Sequence, residues 1–248
     1  MEPDAVPGNA ENILYYNRQK GKKTLTKKRR LITTGLNGVI IEWDLLTMQP
    51  KSKLNIHCAI WQSVMVGKFM YVACEDGSIR VLKVKKNKIE LVRMMVKNTA
   101  SCLSLSIDDS TQLKMEDGDT GPVAFLWAGY ADGTIKQWDV KNNTCLIHID
   151  KQTEKMRKKE GPCLIWKLCQ LQGFLISGDS SGELAIWNMK FGTLVQSFKQ
   201  LKADILCLAV NPEHSTIYAS GVDSRVISAT LKQDGDDQSW VLSSIFRG

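Results

Sequence analysis

Residues 129–139 read Gly-Tyr-Ala-Asp-Gly-Thr-Ile-Lys-Gln-Trp-Asp, a tight turn followed by a short run that ends in Trp138 and Asp139. An Asp-Gly pair favours a short hairpin turn, because both residues tolerate positive φ. The run after Gly133 places β-branched and aromatic residues among polar ones, which is typical of a strand with one buried face. This stretch therefore predicts a β-hairpin.

The same unit recurs along the chain. Further copies lie near residues 35–44, 74–82, 178–188 and 221–231, and the last of them is degenerate. The turn positions are separated by 39, 56, 49 and 43 residues and are Gly38, Gly77, Gly133, Gly182 and Arg225. WD40 blades repeat at about 40–45 residues. We therefore predict an all-β WD40 β-propeller of about four to five four-stranded blades over residues 31–248.

Apolar segments between the turns supply the other strands of each blade. Segments that suit an inner strand lie at residues 59–66, 102–107, 163–166 and 205–210. Because a further strand follows each of these segments, each repeated turn is predicted to join the third and fourth strands of a blade. Two polar stretches, residues 110–122 and 151–160, are interpreted as inserted loops that lengthen the middle repeats.

The repeated positions are assigned structural roles first. Trp43, Trp138 and Trp187 are predicted to pack between blades, with an aromatic platform for stacked bases as the alternative. Aspartates in the turns are predicted to accept hydrogen bonds from the turn rather than to form an acid–base pair. The residues assigned to blade structure are Trp43, Asp44, Asp76, Gly77, Asp132, Gly133, Trp138, Asp139, Gly182, Trp187 and Asp223.

The chain carries a formal net charge of +7, which favours acidic partners such as RNA. Residues 1–30 do not follow the repeat and are interpreted as a basic, flexible N-terminal segment. Two basic clusters are candidates for RNA or partner contact, or for nuclear localisation. They comprise Lys22, Lys23, Lys27, Lys28, Arg29, Arg30, Lys155, Arg157, Lys158 and Lys159. A third cluster is assigned to an outer strand and its turn, where lysines also discourage aggregation through sheet edges; it comprises Lys83, Lys85, Lys86 and Lys88.

Motifs for chemistry are absent from the sequence. It contains no Gly-rich phosphate loop, no G-x-S-x-G and no H-E-x-x-H, and its three histidines are scattered. The seven cysteines are widely spaced and are interpreted as reduced, mostly buried thiols, with no spacing that predicts zinc. We therefore predict no catalytic residues, no cofactor, no metal site, no small-molecule substrate and no membrane segment.

Residues 31–45, Leu-Ile-Thr-Thr-Gly-Leu-Asn-Gly-Val-Ile-Ile-Glu-Trp-Asp-Leu, resemble the second blade of the cirhin family. Members of this family are WD40-repeat subunits of the small-subunit processome. Further stretches that follow the family in the same order include Cys74-Glu-Asp-Gly-Ser-Ile-Arg-Val, Cys102-Leu-Ser-Leu-Ser, Cys163-Leu-Ile-Trp and Gln238-Ser-Trp-Val. The resemblance covers roughly residues 31–248.

The resemblance implies a scaffold that acts in the nucleolus, in processome assembly and early 18S rRNA maturation. The implied partners are other WD40 subunits of the processome and precursor rRNA, at its 5′ external transcribed spacer, bound directly or through other subunits. The five hairpins give fewer blades than the seven or so with which most WD propellers close, so we also predict an incomplete first propeller. The alternative is a WD40 adaptor of another pathway, such as a substrate receptor for ubiquitin ligation.

Overall fold

The computed structural model describes residues 10–17, 29–86, 88–95, 97–107, 112–114, 120–152, 158, 161–211, 213, 215–234 and 237–247. Within these residues the chain forms 22 strands, which build five four-stranded antiparallel sheets and one two-stranded sheet. The all-β prediction of about four to five four-stranded blades is therefore confirmed. No described segment forms a helix long and apolar enough to cross a membrane.

The chain divides into two compact units, and the first comprises Met1–Cys102 and Asp109–Ala124. Its first sheet contains, in order, β1 (Ala10–Asn17), β2 (Arg29–Gly35), β3 (Val39–Trp43) and β4 (Pro50–Asn55). Its second sheet contains β5 (Ile60–Val66), β6 (Phe69–Cys74), β7 (Ile79–Lys85) and β8 (Lys88–Met94). A buried core that includes Ile32, Ile40, Met70 and Val72 joins these two sheets.

The second unit comprises Leu103–Asp108 and Phe125–Gly248. Its first sheet has the order β14 (Thr144–Asp150), β13 (Thr134–Asp139), β12 (Phe125–Tyr130) and β9 (Cys102–Ser106). The next sheet contains β15 (Ile165–Leu171), β16 (Phe174–Asp179), β17 (Glu183–Asn188) and β18 (Leu194–Lys199). The last sheet contains β19 (Ile205–Val210), β20 (Thr216–Gly221), β21 (Arg225–Asp234) and β22 (Asp237–Arg247).

A short hairpin interrupts the stretch interpreted as the first inserted loop. β10 (Gln112–Lys114) pairs with β11 (Thr120–Val123). The backbone N–H of Val123 donates to the Tyr71 hydroxyl oxygen at 2.7 Å, so this hairpin is tied to β6 of the first unit. The insertion is therefore an ordered hairpin in part, rather than a loop throughout.

The sheet β15–β18 shows why the inner strands of a blade are continuously apolar. Leu175 and Ala185 belong to a core cluster with Trp127 of β12. Their sequence neighbours Ile176 and Leu184 belong to a second cluster with residues of β19–β22. Successive side chains of a strand point to opposite faces, so both faces of this sheet are buried.

The repeated turns join the second and third strands of each four-stranded sheet, which corrects the prediction that they join the third and fourth. For example, the turn that contains Gly182 joins β16 to β17, and β18 follows. The outer strand was missed because it lacks a clear apolar pattern. In β4 and β18, every residue is exposed or half-buried.

The repeat region also begins earlier than residue 31. β1 pairs with β2 from Asn17 opposite Arg29 to Asn12 opposite Thr34, so residues 10–17 and 29–30 belong to the first sheet. The interpretation of residues 1–30 as a flexible segment is therefore corrected for these residues, while residues 1–9 and 18–28 lie outside the described part of the chain. The short apolar run Ile-Leu-Tyr-Tyr at 13–16 is followed by a basic stretch, and this composition concealed the strand.

Candidate functional site

Aspartates of the repeated turns hold the backbone of those turns. Asp76 Oδ1 accepts a hydrogen bond from the Ser78 N–H at 3.1 Å, and Asp132 Oδ1 accepts one from the Thr134 N–H at 3.0 Å. Asp223 Oδ1 accepts from the Arg225 N–H at 3.2 Å and is also bound by the Arg225 side chain. The Arg225 side chain holds the pKa of Asp223 below its ordinary value. This carboxyl group is therefore ionised at neutral pH and poorly suited to donate a proton.

A second set of polar side chains lies where the third strand of each sheet ends. Asp44 Oδ1 accepts from the Leu46 N–H at 2.9 Å, and Asp139 Oδ1 accepts from the Asn142 N–H at 2.8 Å. These backbone hydrogen bonds lower the pKa of both aspartates. Asn188 occupies the same place in the next sheet, where its Oδ1 accepts from the Lys190 N–H at 2.9 Å. These side chains stabilise the turn into the outer strand.

The three repeated tryptophans each donate the indole N–H to a hydroxyl group on the neighbouring second strand. Trp43 donates to Thr33, Trp138 to Tyr130 and Trp187 to Ser177, and each N···O distance is 2.9 Å. Trp138 and Trp187 are 6% exposed, which leaves them no free ring face on which a base could stack. Trp43 is half-buried.

Replacing Trp187 by phenylalanine tests this hydrogen bond. Ser177 is fully buried, so the substitution leaves its hydroxyl without the indole donor and is expected to cost about 1–3 kcal/mol in the free energy of unfolding. The double variant Trp187→Phe/Ser177→Ala removes both polar partners and should cost less than the sum of the two single substitutions. Urea unfolding of the four proteins measures the coupling, and strict additivity would show that the bond contributes nothing.

The structure describes only some of the basic residues that were candidates for RNA or partner contact. Lys158 is exposed and Arg29 lies on β2. Seven others lie outside the described residues; they are Lys22, Lys23, Lys27, Lys28, Lys155, Arg157 and Lys159.

Arg30 is bound inside the first unit. Its Nε and Nη2 donate to the two carboxylate oxygens of Glu42 at 2.8 and 2.6 Å, and Nη2 also donates to the Lys85 carbonyl oxygen at 2.8 Å. The Glu42 side chain is 2% exposed. Arg30 is therefore paired with a buried carboxylate on the adjacent strand of its own sheet, and it reaches the second sheet through the Lys85 carbonyl. Its guanidinium group is already engaged, and its role in RNA or partner contact stays a prediction.

The third lysine cluster is also largely engaged. Lys83 and Lys85 lie on β7, the third strand of its sheet, and not on the outer strand as predicted, whereas Lys88 begins the outer strand β8. Lys85 and Lys88 bind Glu90 at 2.5 and 2.8 Å, which lowers the pKa of Glu90 to about 2. Lys83 Nζ lies 5.6 Å from the centroid of the Phe69 ring. Lys86 lies in the turn between the two strands.

Sequence reasoning missed a buried ionic cluster in the second unit. Asp179 is fully buried at the end of β16, and its Oδ1 accepts from the backbone N–H and the hydroxyl of Ser181, both at 2.8 Å. Its other carboxylate oxygen contacts the Lys151 ammonium group, which also lies 3.0 Å from Glu183 Oε2. Lys151 was assigned to an inserted loop, so its partner 28 residues away could not be recognised from spacing.

The cysteines are free thiols, and two of them lie near each other. Cys74, Cys102 and Cys163 are buried; Cys58 and Cys169 are half-buried; Cys145 and Cys207 are exposed. The sulfur atoms of Cys58 and Cys74 and a carboxylate oxygen of Asp76 lie within 4.8 Å of one another. The separation of Cys58 and Cys74 by 16 residues gave no metal-ligand spacing, so this group was not predicted.

No protein-family profile matches the chain. Curated proteins do match it. It is 33% identical over 224 residues to U3 small nucleolar RNA-associated protein 4 of Schizosaccharomyces pombe, over 88% of this chain and 29% of that protein. The chain is a homologue of U3 small nucleolar RNA-associated protein 4. The resemblance to the cirhin family is thereby confirmed.

Two further relatives carry the same name. The Saccharomyces cerevisiae protein is 27% identical over 228 residues, which cover 87% of this chain and 27% of that protein. The human homologue is 27% identical over 228 residues, which cover 88% of this chain and 31% of that protein. The chain thus spans less than a third of the length of each of these relatives.

Solved structures confirm the β-propeller fold. The Cps50 (Swd1) β-propeller domain of Myceliophteria thermophila matches with a TM-score of 0.66 and 15% identity, over 88% of this chain and 69% of that chain. A chain of the Mitotic Checkpoint Complex matches with a TM-score of 0.63 and 14% identity, over 81% of this chain and 57% of that chain. At this level of identity, the likeness concerns the fold alone.

Proposed function

We propose that the chain is a scaffold subunit in ribosome biogenesis that acts in small-subunit processome assembly and early 18S rRNA maturation in the nucleolus. The observation that carries the proposal is its homology to proteins named for association with the U3 small nucleolar RNA. The proposed partners are other WD40 subunits of the processome and precursor rRNA at its 5′ external transcribed spacer.

The mechanism that we propose is rigid display, without covalent chemistry. The aspartates and tryptophans of the repeat are engaged in turns and between strands, which supports a structural role for them. Partner contacts then fall to the loops at the ends of the sheets, since loops on a rigid scaffold commonly carry binding residues.

Depletion of the protein from cells tests the proposed role. We expect less newly made 18S rRNA relative to large-subunit rRNA, and accumulation of precursors that retain the 5′ spacer, in pulse-labelling and northern blots. Re-expression of the protein should restore the ratio. An unchanged ratio after complete depletion would argue against a role in 18S maturation.

Within this role, we propose that the basic segment at residues 155–159 contacts RNA. Lys158 is exposed there, and Lys155, Arg157 and Lys159 flank it in the sequence. Each Lys or Arg that neutralises a phosphate of a single strand contributes about 0.7 to the slope of log K against log salt. Alanine at all four positions should therefore reduce the magnitude of that slope by up to about 3 for a 5′ spacer RNA.

Filter binding at several salt concentrations measures this slope. The matched control replaces Lys85 and Lys88, which are paired with Glu90, by alanine. The control should leave the slope nearly unchanged, because Glu90 already holds both ammonium groups and they are not free to contact a phosphate. Equal slopes for the fourfold alanine variant and the wild-type protein would exclude direct RNA contact by this basic segment.

A further inference from the structure

Three donor groups of the first unit form a candidate metal centre. From their geometry we propose that Cys58, Cys74 and Asp76 bind one divalent ion of the zinc type. Thiolate sulfur and carboxylate oxygen are both established zinc ligands. The site shares no residue with the basic segment at residues 155–159 and does not depend on the proposed function.

Strand pairing brings the three donors together. Ile60 of β5 lies opposite Cys74, and the Glu75 N–H donates to the Ala59 carbonyl oxygen at 3.0 Å, which extends the pairing toward Cys58. Asp76 follows Cys74 by two residues, in the turn between β6 and β7. The donors therefore come from two segments whose relative position is fixed by backbone hydrogen bonds.

The backbone of Cys58 is further held by the preceding sheet. Gly38 has φ of +74°, and a Cβ atom there would lie 2.7 Å from the Cys58 carbonyl oxygen and 2.9 Å from its nitrogen. The Ile56 N–H donates to the Gly38 carbonyl oxygen at 2.9 Å. Close backbone packing thus places Cys58 before any ion binds, so only side-chain adjustment is required.

The distances suit coordination after a small adjustment. The three donor atoms lie within 4.8 Å of one another. Zinc binds sulfur at about 2.3 Å and carboxylate oxygen at about 2.0–2.2 Å, so tetrahedral donors are separated by about 3.5–3.8 Å. Side-chain rotations that move the donor atoms by roughly 1 Å close this difference. Three protein ligands then leave the fourth coordination position for water.

Two cations contact Asp76, of which one can leave when the ion binds and the other stays. Lys97 Nζ lies 3.1 Å from Asp76 Oδ2, and the Lys97 side chain is 55% exposed. The Lys97 ammonium group can move from the Asp76 carboxylate into solvent at little cost in free energy, and the dication then takes its place. Arg80 binds Asp76 Oδ2 at 3.2 Å and also donates to the Ile56 carbonyl oxygen, so it remains in place. Its charge offsets the single net negative charge of a dication bound by two thiolates and one carboxylate. The two thiol protons are released to solvent when the ion binds.

Cobalt(II) is the spectroscopic probe, used with the whole chain under a phosphine reductant. We expect one equivalent to bind with a sulfur-to-cobalt charge-transfer band, and zinc chloride to raise the melting temperature. Cys58→Ser should abolish the band or weaken affinity at least about tenfold. Cys207→Ser, at an exposed cysteine, is the matched control and should leave the band unchanged.

Two further variants keep the test decisive. Cys74 is fully buried, so Cys74→Ser is interpreted only if its unfolding transition matches that of the wild-type protein. Asp76→Asn should preserve the turn, because Asn37 Oδ1 already accepts from the Val39 N–H at 3.1 Å at the same place in the first sheet. It should nevertheless weaken cobalt binding about tenfold or more. The proposal is overturned if the wild-type protein shows no charge-transfer band, or if the band survives Cys58→Ser undiminished.

Discussion

Replacing Arg30 by alanine is expected to lower the free energy of unfolding by about 3–5 kcal/mol, the usual cost of removing one partner of a buried ion pair. Arg30 binds both oxygens of Glu42, whose side chain is 2% exposed. Without the guanidinium group, the carboxylate retains Lys51 at 3.7 Å and the Ser52 hydroxyl at 3.5 Å. These long contacts cannot replace two charge-assisted hydrogen bonds.

Urea unfolding monitored by tryptophan fluorescence measures the loss. Lys51→Ala is the matched control, since it removes a more exposed cation from the same carboxylate. The control should cost no more than about 1 kcal/mol. If both substitutions cost the same small amount, the Arg30–Glu42 pair does not hold β2 against β3 as described.

Alanine at Gly182 is expected to cost about 2–5 kcal/mol, because backbone strain and steric overlap add. The residue has φ of +77°, and a Cβ atom there would lie 2.4 Å from the Leu201 carbonyl oxygen and 2.8 Å from its carbon. Both are backbone atoms of the segment that leads into β19, so the overlap can be relieved only by moving the chain. The turn and that segment should loosen together.

Gly173→Ala separates the two contributions. Gly173 has φ of +83°, and nothing lies within 4 Å of the place where its Cβ would stand. This variant therefore carries only the left-handed backbone cost of about 1–2 kcal/mol. In thermal and urea unfolding, the Gly182→Ala protein should be clearly less stable than the Gly173→Ala protein. Equal losses would mean that the close approach of Leu201 contributes nothing.

The fold could be predicted from the repeated turn because each feature of that unit depends on residues close together in the sequence. The Asp-Gly turn, the apolar run and the terminal tryptophan each have a local cause, and the same pattern recurs at intervals near the length of a blade. The outer strands carry little such information. β18 pairs along its length with β17, yet all of its side chains are exposed or half-buried, so its residues show no alternation between a buried and an exposed face.

The interactions between segments could not be predicted in the same way. Glu42 and Arg30 are 12 residues apart, and only the pairing of β2 with β3 shows that they meet. Cys58 lies near Cys74 because Ile60, two residues after Cys58, pairs opposite Cys74. Sequence spacing reveals ligand sets on one helix or in one loop, whereas strand register joins positions at distances that follow no fixed rule.

Co-purification from cells tests the scaffold role most directly. The tagged protein, isolated after mild nuclease-free lysis, should recover the U3 small nucleolar RNA together with WD40 proteins of the small-subunit processome. An untagged strain provides the background. Recovery of cullin-linker proteins with no U3 RNA above that background would contradict the scaffold role and support an adaptor in ubiquitin ligation.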